Sequence, residues 1–325
     1  MTHLTYLEAA VVGLIQGVSE MFPVSSLGHS VLLPAVIGGQ WARDLNVAAT
    51  ASPYLAFVVG LHVATALALL IYFWRDWVRI VGGFLSSIRD RRVATADQRL
   101  AWMIILATIP VGIVGKLFEN EFQVIFGTSV YAGIFLAVNG LILLAGERFR
   151  RPASVSADAL AARDRAGAEL VAAGRHASGG QALQQRERAV AVTADQRLSA
   201  MGYRQAVLIG SAQILALLAG ISRDGVTMVA GMARGLSRED AARFAFLLAT
   251  PVIFAAGALK LPTLAGPLGH GIHGQILVGS VASGVGAYLS VRFLLRYLRT
   301  RTLTPFGIYC LVAGLGCVIY LGLIK

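Results

Sequence analysis

Six predominantly apolar runs recur along the chain, roughly Tyr54–Trp74, Leu100–Leu117, Val130–Ala145, Ala242–Ala258, Gln275–Leu295 and Leu303–Ile324. Each is close to the roughly 20 residues a helix needs to cross the hydrocarbon of a bilayer. None shows the strict apolar–polar alternation of a membrane barrel, so the runs predict six transmembrane helices. Two further apolar stretches are interrupted: Leu7–Ile37 breaks at Pro23 to Gly28, and Gln205–Ala233 breaks at Gly220 to Gly225. Each half is too short to span alone, and the broken middle is polar. This pattern predicts two re-entrant helix–loop–helix hairpins, tolerated at membrane depth only when buried in protein or lining a wet cavity.

Composition agrees with that reading. Hydrophobic residues make up 56% of the 325 and charged residues 14%, against about 45–50% and about 25% in soluble domains. The expected fold class is therefore an all-α integral membrane protein. The net charge of +11, from 28 Lys+Arg and 17 Asp+Glu, would suggest nucleic acid in a soluble protein. Here the basic residues flank the apolar runs, so they report topology, and no nucleic-acid partner is expected. "MTHLTYLEAA" has neither a basic n-region nor a small-residue cleavage site, so no cleaved signal peptide is expected. Cys310 and Cys317 lie seven residues apart in one apolar run, about 10 Å along a helix and too far for a disulfide.

Arginines cluster in 75–99, 148–204 and 292–301, whereas 116–128 and 260–275 carry few basic residues. Placing the Arg-rich segments in the cytoplasm makes all six spans alternate consistently. The first hairpin then enters from outside and the second from the cytoplasm. "GLIQGVSEMFPVSSLGHS" (Gly13–Ser30) also aligns without gaps on "GSAQILALLAGISRDGVT" (Gly210–Thr227), matching Gly13 with Gly210, Gln16 with Gln213, Ser25 with Ser222 and Gly28 with Gly225. Together these features predict an inverted-topology repeat, with a site where the broken hairpins meet. Residues 1–150 form the first repeat (hairpin 7–37 plus three spans), 151–204 an Arg- and Ala-rich cytoplasmic linker, and 205–325 the second repeat (hairpin 205–233 plus three spans).

The broken points carry the chemistry. Gln16 and Glu20 are four residues apart and project from one helix face; a carboxylate at membrane depth faces protein, water or a cation. After Pro23, Ser25 and Ser26 start a second half-helix whose free N–H groups favour an anion. His29 follows one turn later, close enough to exchange a proton with a hydroxyl or a phosphate. The second break adds Arg223, a bidentate fork suited to phosphate oxygens. It also brings Asp224, the hydroxyls of Ser222 and Thr227, and Gly220 and Gly225, which let backbone N–H groups approach an oxyanion. An Arg223–Asp224 bridge alone would explain neither the glycines nor the hydroxyls. Acid, hydroxyls and imidazole from one hairpin and arginine from the other suit a phosphate ester or anhydride.

These residues resemble a known family. "GxxQGxxExxPVSSxGH", followed by "AGISRDGVT" and "ARGLSREDAARFAFLLATP" (Ala233–Pro251), is similar to the undecaprenyl-pyrophosphate phosphatase, or bacitracin-resistance, family over most of the chain. The resemblance implies a bacterial plasma-membrane enzyme that removes one phosphate from a C55 isoprenyl pyrophosphate, regenerating the cell-wall lipid carrier. It implies a site open to the outer leaflet and dependence on a divalent cation, magnesium or calcium. By position, Glu20 would assist catalysis or hold the cation, Ser26 would be the nucleophile, His29 the acid/base and Arg223 the phosphate clamp. Gln16, Ser25, Ser222, Asp224, Gly225 and Thr227 would complete the pyrophosphate shell. Two positions depart from the family pattern: Gln16 stands where Glu is usual, and Asp224 where Ser is usual. A homodimer is left open as the assembly.

Two rival readings differ in what they demand. Acid-phosphatase-like lipid phosphatases need a Lys–Arg–Pro element and a His six residues beyond the motif arginine, a position Val229 fills here. An isoprenyl-phosphate flippase of the same architecture needs the Arg223 clamp but neither nucleophile nor general acid.

Overall fold

The computed structural model describes residues 4–45, 53–118, 128–150, 194–265 and 271–324, and among them the chain is entirely helical. The elements are α1 (Tyr6–Met21), α2 (Ser26–Ile37), the short α3 (Gly39–Asp44), α4 (Pro53–Tyr72), α5 (Trp74–Asp90), α6 (Ala96–Leu117) and α7 (Ser129–Arg148). After the linker come α8 (Tyr203–Ser211), a 3₁₀ segment (Ala212–Leu217), α9 (Arg223–Ala233), α10 (Arg238–Ala265), α11 (His273–Tyr297) and α12 (Thr304–Ile319), which closes in a π turn (Tyr320–Ile324). Among the described residues, α6, α7, α10, α11 and α12 are long and apolar enough to cross a bilayer, and α4 with α5 makes a sixth candidate. The protein is thus consistent with an integral membrane protein of five to six apolar helices.

The predicted spans recur with small shifts, and one segment differs. Residues 75–90, expected as part of an Arg-rich loop, form α5, which leaves α4 at an angle of 83°. Its apolar residues Trp74, Val78, Val81, Leu85 and Ile88 are spaced along one helical face and exposed, while Arg75, Asp76, Arg79 and Arg89 lie between them. Such a helix suits an interface rather than a span. Residues 151–193 of the predicted linker, and 119–127 and 266–270 of the sparsely basic loops, lie outside the described residues.

Ion pairs gather the helix ends. Arg238 at the start of α10 is bidentate to Glu147 at the end of α7, and Glu147 also accepts the N–H of Leu303 ahead of α12 at 2.8 Å. Arg243, further along α10, pairs with Asp76 of α5 and with Asp195 in the short helix 194–199. Arg79 joins Asp76, Asp195 and Asp97, the last at the start of α6. Arg197 pairs with Asp240, and Arg299 beyond α11 with Glu239. The ends of α4, α7 and α11 and the starts of α6, α10 and α12 therefore share one end of the bundle, the arrangement that alternating spans require.

The two broken pairs start from different ends. The α1 helix begins beside the start of α11, where Gln275 donates to the Leu4 carbonyl at 3.1 Å. The α8 helix begins at the ionic end, where the Arg99 guanidinium covers the Tyr203 ring. Small residues let these helices approach their neighbours, as packing in lipid favours. A Cβ on Gly13 would collide with the Gly279 carbonyl of α11, and one on Gly210 with the Ala107 carbonyl of α6.

Candidate active site

Both breaks end on a serine cap. Ser25 sits at φ 67°, an unusual angle for a side-chain-bearing residue. Its Oγ accepts the Gly28 N–H, capping α2, and the Gly220 N–H from the other break, each at 3.2 Å. Ser222 caps α9 in the same manner, accepting the Gly225 N–H at 3.1 Å. Neither hydroxyl proton has an acceptor among the described residues, so both remain donors to offer. The four residues matched in the sequence alignment thus hold equivalent places: Gly13 and Gly210 at close crossings, Ser25 and Ser222 as caps, Gly28 and Gly225 on those caps, and Gln16 and Gln213 buried before the breaks.

Asn139 ties the breaks together from the middle of α7. Fully buried, it donates to the Pro23 carbonyl and accepts the Ser222 N–H, each at 2.9 Å. The N-termini of α2 and α9 consequently face one another, and helix N-termini favour an anion.

Glu20 lies at the centre, with a side chain only 8% exposed. Its Oε1 accepts Arg223 Nη2 at 3.0 Å, an ion pair between the two halves of the chain. Its Oε2 accepts the Ser26 hydroxyl in a short hydrogen bond and the Gln16 amide at 3.0 Å. Arg223 also leans on Asp224, with Nε 3.4 Å from Oδ1, so one guanidinium spans carboxylates from both breaks. Its Nη1 has no partner among these bonds, leaving donors for a ligand. Asp224 is buried and its Oδ2 has no partner among the described residues.

Some expected positions behave differently. Ser26 pairs with Glu20, not with His29. The His29 ring is engaged on both sides, Nδ1 with the Ser25 carbonyl and Nε2 with the Tyr309 hydroxyl, each at 2.7 Å. A carbonyl can only accept, so Nδ1 carries the proton and Nε2 is the side open to exchange. Thr227 is buried and spends its proton on the Arg223 carbonyl at 2.7 Å, leaving only acceptor capacity.

Three contributors escaped the sequence reading: His62, Asn139 and Tyr309. His62 of α4 holds Nδ1 against the Val58 carbonyl at 2.9 Å, and its Nε2 lies 3.3 Å from the Gln16 amide and 3.6 Å from Glu20. A lone histidine within an apolar run, and a lone asparagine within another, were the available signals. Gln16 is thereby fully engaged: its amide nitrogen serves Glu20 and His62, and its oxygen receives Ser30 at 3.4 Å.

This arrangement bears on the cation. No group of three or more His, Cys, Asp or Glu side chains converges as a cage among the described residues. Glu20 is surrounded by donors, and Gln16 cannot add a second carboxylate. Glu20 Oε1 accepts only Arg223 among the described bonds, so it keeps a lone pair that a cation held on phosphate oxygens could use.

A family model described as bacitracin resistance protein BacA matches residues 9–316. The chain belongs to the bacitracin resistance protein BacA family. It is 57% identical over 321 residues to the undecaprenyl-diphosphatase of Mycolicibacterium paratuberculosis, covering 99% of each chain. It is 52% identical to undecaprenyl-diphosphatase 2 of Frankia alni, covering 98% of each. Across a wider gap it is 39% identical to undecaprenyl-diphosphatase 2 of Chromobacterium violaceum, covering 95% of this chain and 96% of that one. The family match spans both serine caps, Glu20, His62, Asn139 and Arg223.

Proposed function

We propose that this chain is a membrane phosphatase that hydrolyses undecaprenyl pyrophosphate, the C55 isoprenyl pyrophosphate, to the monophosphate and inorganic phosphate. The observation that carries the reading is the Ser26 hydroxyl bonded to Glu20, itself paired with Arg223 from the other half. Near-full-length similarity to proteins named undecaprenyl-diphosphatase supports the same substrate and reaction. A flippase would need the clamp alone, and it leaves the hydroxyl–carboxylate pair without a task.

In this mechanism the terminal phosphate sits between the two helix N-termini. Arg223 and the hydroxyls of Ser25 and Ser222 hold its oxygens, with Gly225 letting backbone approach and Asp224 orienting the guanidinium. Charge stabilisation of this kind does most of the work in phosphoryl transfer. Ser26 Oγ bonds to the terminal phosphorus as the bond to the bridging oxygen breaks, and the hydroxyl proton passes to Glu20. The bridging oxygen leaves on the isoprenyl monophosphate as a phosphate oxyanion. Water then cleaves the Ser26 phosphate ester, giving its proton to the open His29 Nε2, while the proton held by Glu20 returns to Ser26 Oγ as its bond to phosphorus breaks. His62 and Gln16 hold Glu20 in place. When bound, a magnesium or calcium ion on the pyrophosphate would neutralise phosphate charge, with Glu20 as its protein ligand.

The architecture belongs to the same proposal. Four alignment-matched residues in equivalent roles, and broken pairs starting from opposite ends, support an inverted repeat of two re-entrant hairpins and six spans, bounded at 1–150, 151–204 and 205–325. The positive-inside bias puts the ionic end in the cytoplasm, so the first hairpin opens to the outer leaflet of the plasma membrane, where the substrate arrives. Purified protein should release phosphate from C55 pyrophosphate, and Ser26→Ala should bind the lipid without releasing it. No release by the wild-type protein, with or without added magnesium or calcium, would refute the reading.

A further inference from the structure

A basic groove lies at the ionic end of α11, away from Glu20 and Arg223. Leu289, Arg292, Phe293, Arg296, Tyr297, Thr300 and Arg301 line an open groove of about 460 Å³. Among the described lining residues there are three guanidiniums and no carboxylate. Arg292 and Arg301 form no ion pair or hydrogen bond among the described residues, whereas neighbouring Arg299, turned elsewhere, pairs with Glu239 at 2.8 Å. One wall is firm: Tyr297 stacks on Phe293 at 5.5 Å and meets Phe306 edge-on at 5.7 Å. Phe22, in the first break, packs on both Phe293 and Phe306.

The other end of the groove runs into lipid-facing surface. Leu277, Val281, Val285, Leu289 and Phe293 recur every four residues along α11, and all are more than half exposed. A ridge of this kind on a spanning helix suits a hydrocarbon chain lying along it. Charge at one end and an apolar track at the other match an amphiphile, not a free anion.

We propose that this groove binds the phosphate headgroup of an anionic membrane lipid, with Arg292, Arg296 and Arg301 around the phosphate and the tail along the α11 ridge. Tyr297 and Thr300 offer hydroxyl donors, and guanidiniums suit phosphate geometry. Arginines that merely snorkel to an interface would favour anionic lipid diffusely and need no concave, aromatic-walled groove. The proposal does not rest on the catalytic assignment: among the described residues no hydrogen bond or ion pair links the groove to Glu20, Ser26 or Arg223.

The test is native mass spectrometry of protein taken from nanodiscs of phosphatidylcholine with one-fifth phosphatidylglycerol, by wild type, Arg292→Gln/Arg301→Gln and Arg299→Gln. Wild type and Arg299→Gln should retain one phosphatidylglycerol in preference to phosphatidylcholine. The double variant should lose that preference by roughly tenfold or more, since each basic residue near an anionic surface contributes severalfold to binding. Elution as the wild-type species, together with wild-type phosphate release in detergent, establishes that the double variant is folded. Equal retention by the double variant, loss in Arg299→Gln as well, or no preference in wild type would each overturn the proposal. Displacement of the lipid by millimolar inorganic phosphate would also overturn it, because the groove would then hold a free anion.

Discussion

At the scale of single residues, the site is organised around one carboxylate with four neighbours. Glu20 takes Ser26, Gln16 and Arg223 directly and has His62 at 3.6 Å. Arg223→Lys keeps the charge but loses the planar fork that spans Glu20, Asp224 and a phosphate. Phosphate release should fall at least about a hundredfold with the fold intact, while Arg150→Ala, at the linker boundary, stays near wild type; steady-state kinetics in detergent decides it. His62→Ala should lower kcat roughly tenfold, the kinetic equivalent of one hydrogen bond, with KM little changed. An unchanged kcat would remove His62 from the account. Gln16→Glu sets a second carboxylate where an amide now donates to Glu20 at 3.0 Å. Added magnesium should then stimulate the variant more than the wild type, because two close carboxylates repel unless a cation lies between them. Glu20, Ser26 and Arg223 were legible in sequence because polar residues at a membrane break have few uses. Chain spacing puts His29 within reach of a hydroxyl or a phosphate, but does not show its contacts with the Ser25 carbonyl and with the Tyr309 hydroxyl, 280 residues away.

At the scale of elements, the breaks are held open by a small number of buried contacts. Asn139→Leu strands the Ser222 N–H, at about 1–3 kcal/mol for an unpaired buried group, and leaves the Pro23 carbonyl only the long Cys310 thiol contact at 3.8 Å. The variant should melt at lower temperature and lose activity together, measured by thermal unfolding in detergent beside phosphate release. If it melted normally and kept full activity, the tie between the breaks would be structurally idle. The half-helices themselves were readable from their length and from the glycine, proline and serine at each gap. The restart at Ser26 falls where Ser25 and Ser26 point, whereas α9 restarts at Arg223, inside the Gly220–Gly225 break, because the Ser222 cap seats Gly225 in its first turn. The α5 helix was missed for a different reason: its arginines read as a topological marker and masked the helical spacing of Trp74, Val78, Val81, Leu85 and Ile88.

At the scale of the whole molecule, salt bridges collect the alternate helix ends at one end of the bundle, and arginine counts had already grouped the same ends. Which end faces the cytoplasm is a matter of charge bias. Single cysteines at the exposed positions Gln40 and Arg92, in a background lacking Cys310 and Cys317, test it with an impermeant maleimide. Gln40 should be labelled in intact cells and Arg92 only after permeabilisation; the reverse result would invert the outer-leaflet assignment. The repeat was visible as four matched residues, but the pairing of Glu20 with Arg223 across 203 positions needed three dimensions. The central claim is that this meeting point hydrolyses a lipid pyrophosphate, and liposomes carrying C55 pyrophosphate test it most directly. Released inorganic phosphate should be abundant with wild-type protein and lower by about 10²–10⁴-fold with Ser26→Ala and with Glu20→Gln, general acid–base help being of that size. Transbilayer movement of the monophosphate by wild-type protein, without phosphate release and undiminished in Ser26→Ala, would contradict it.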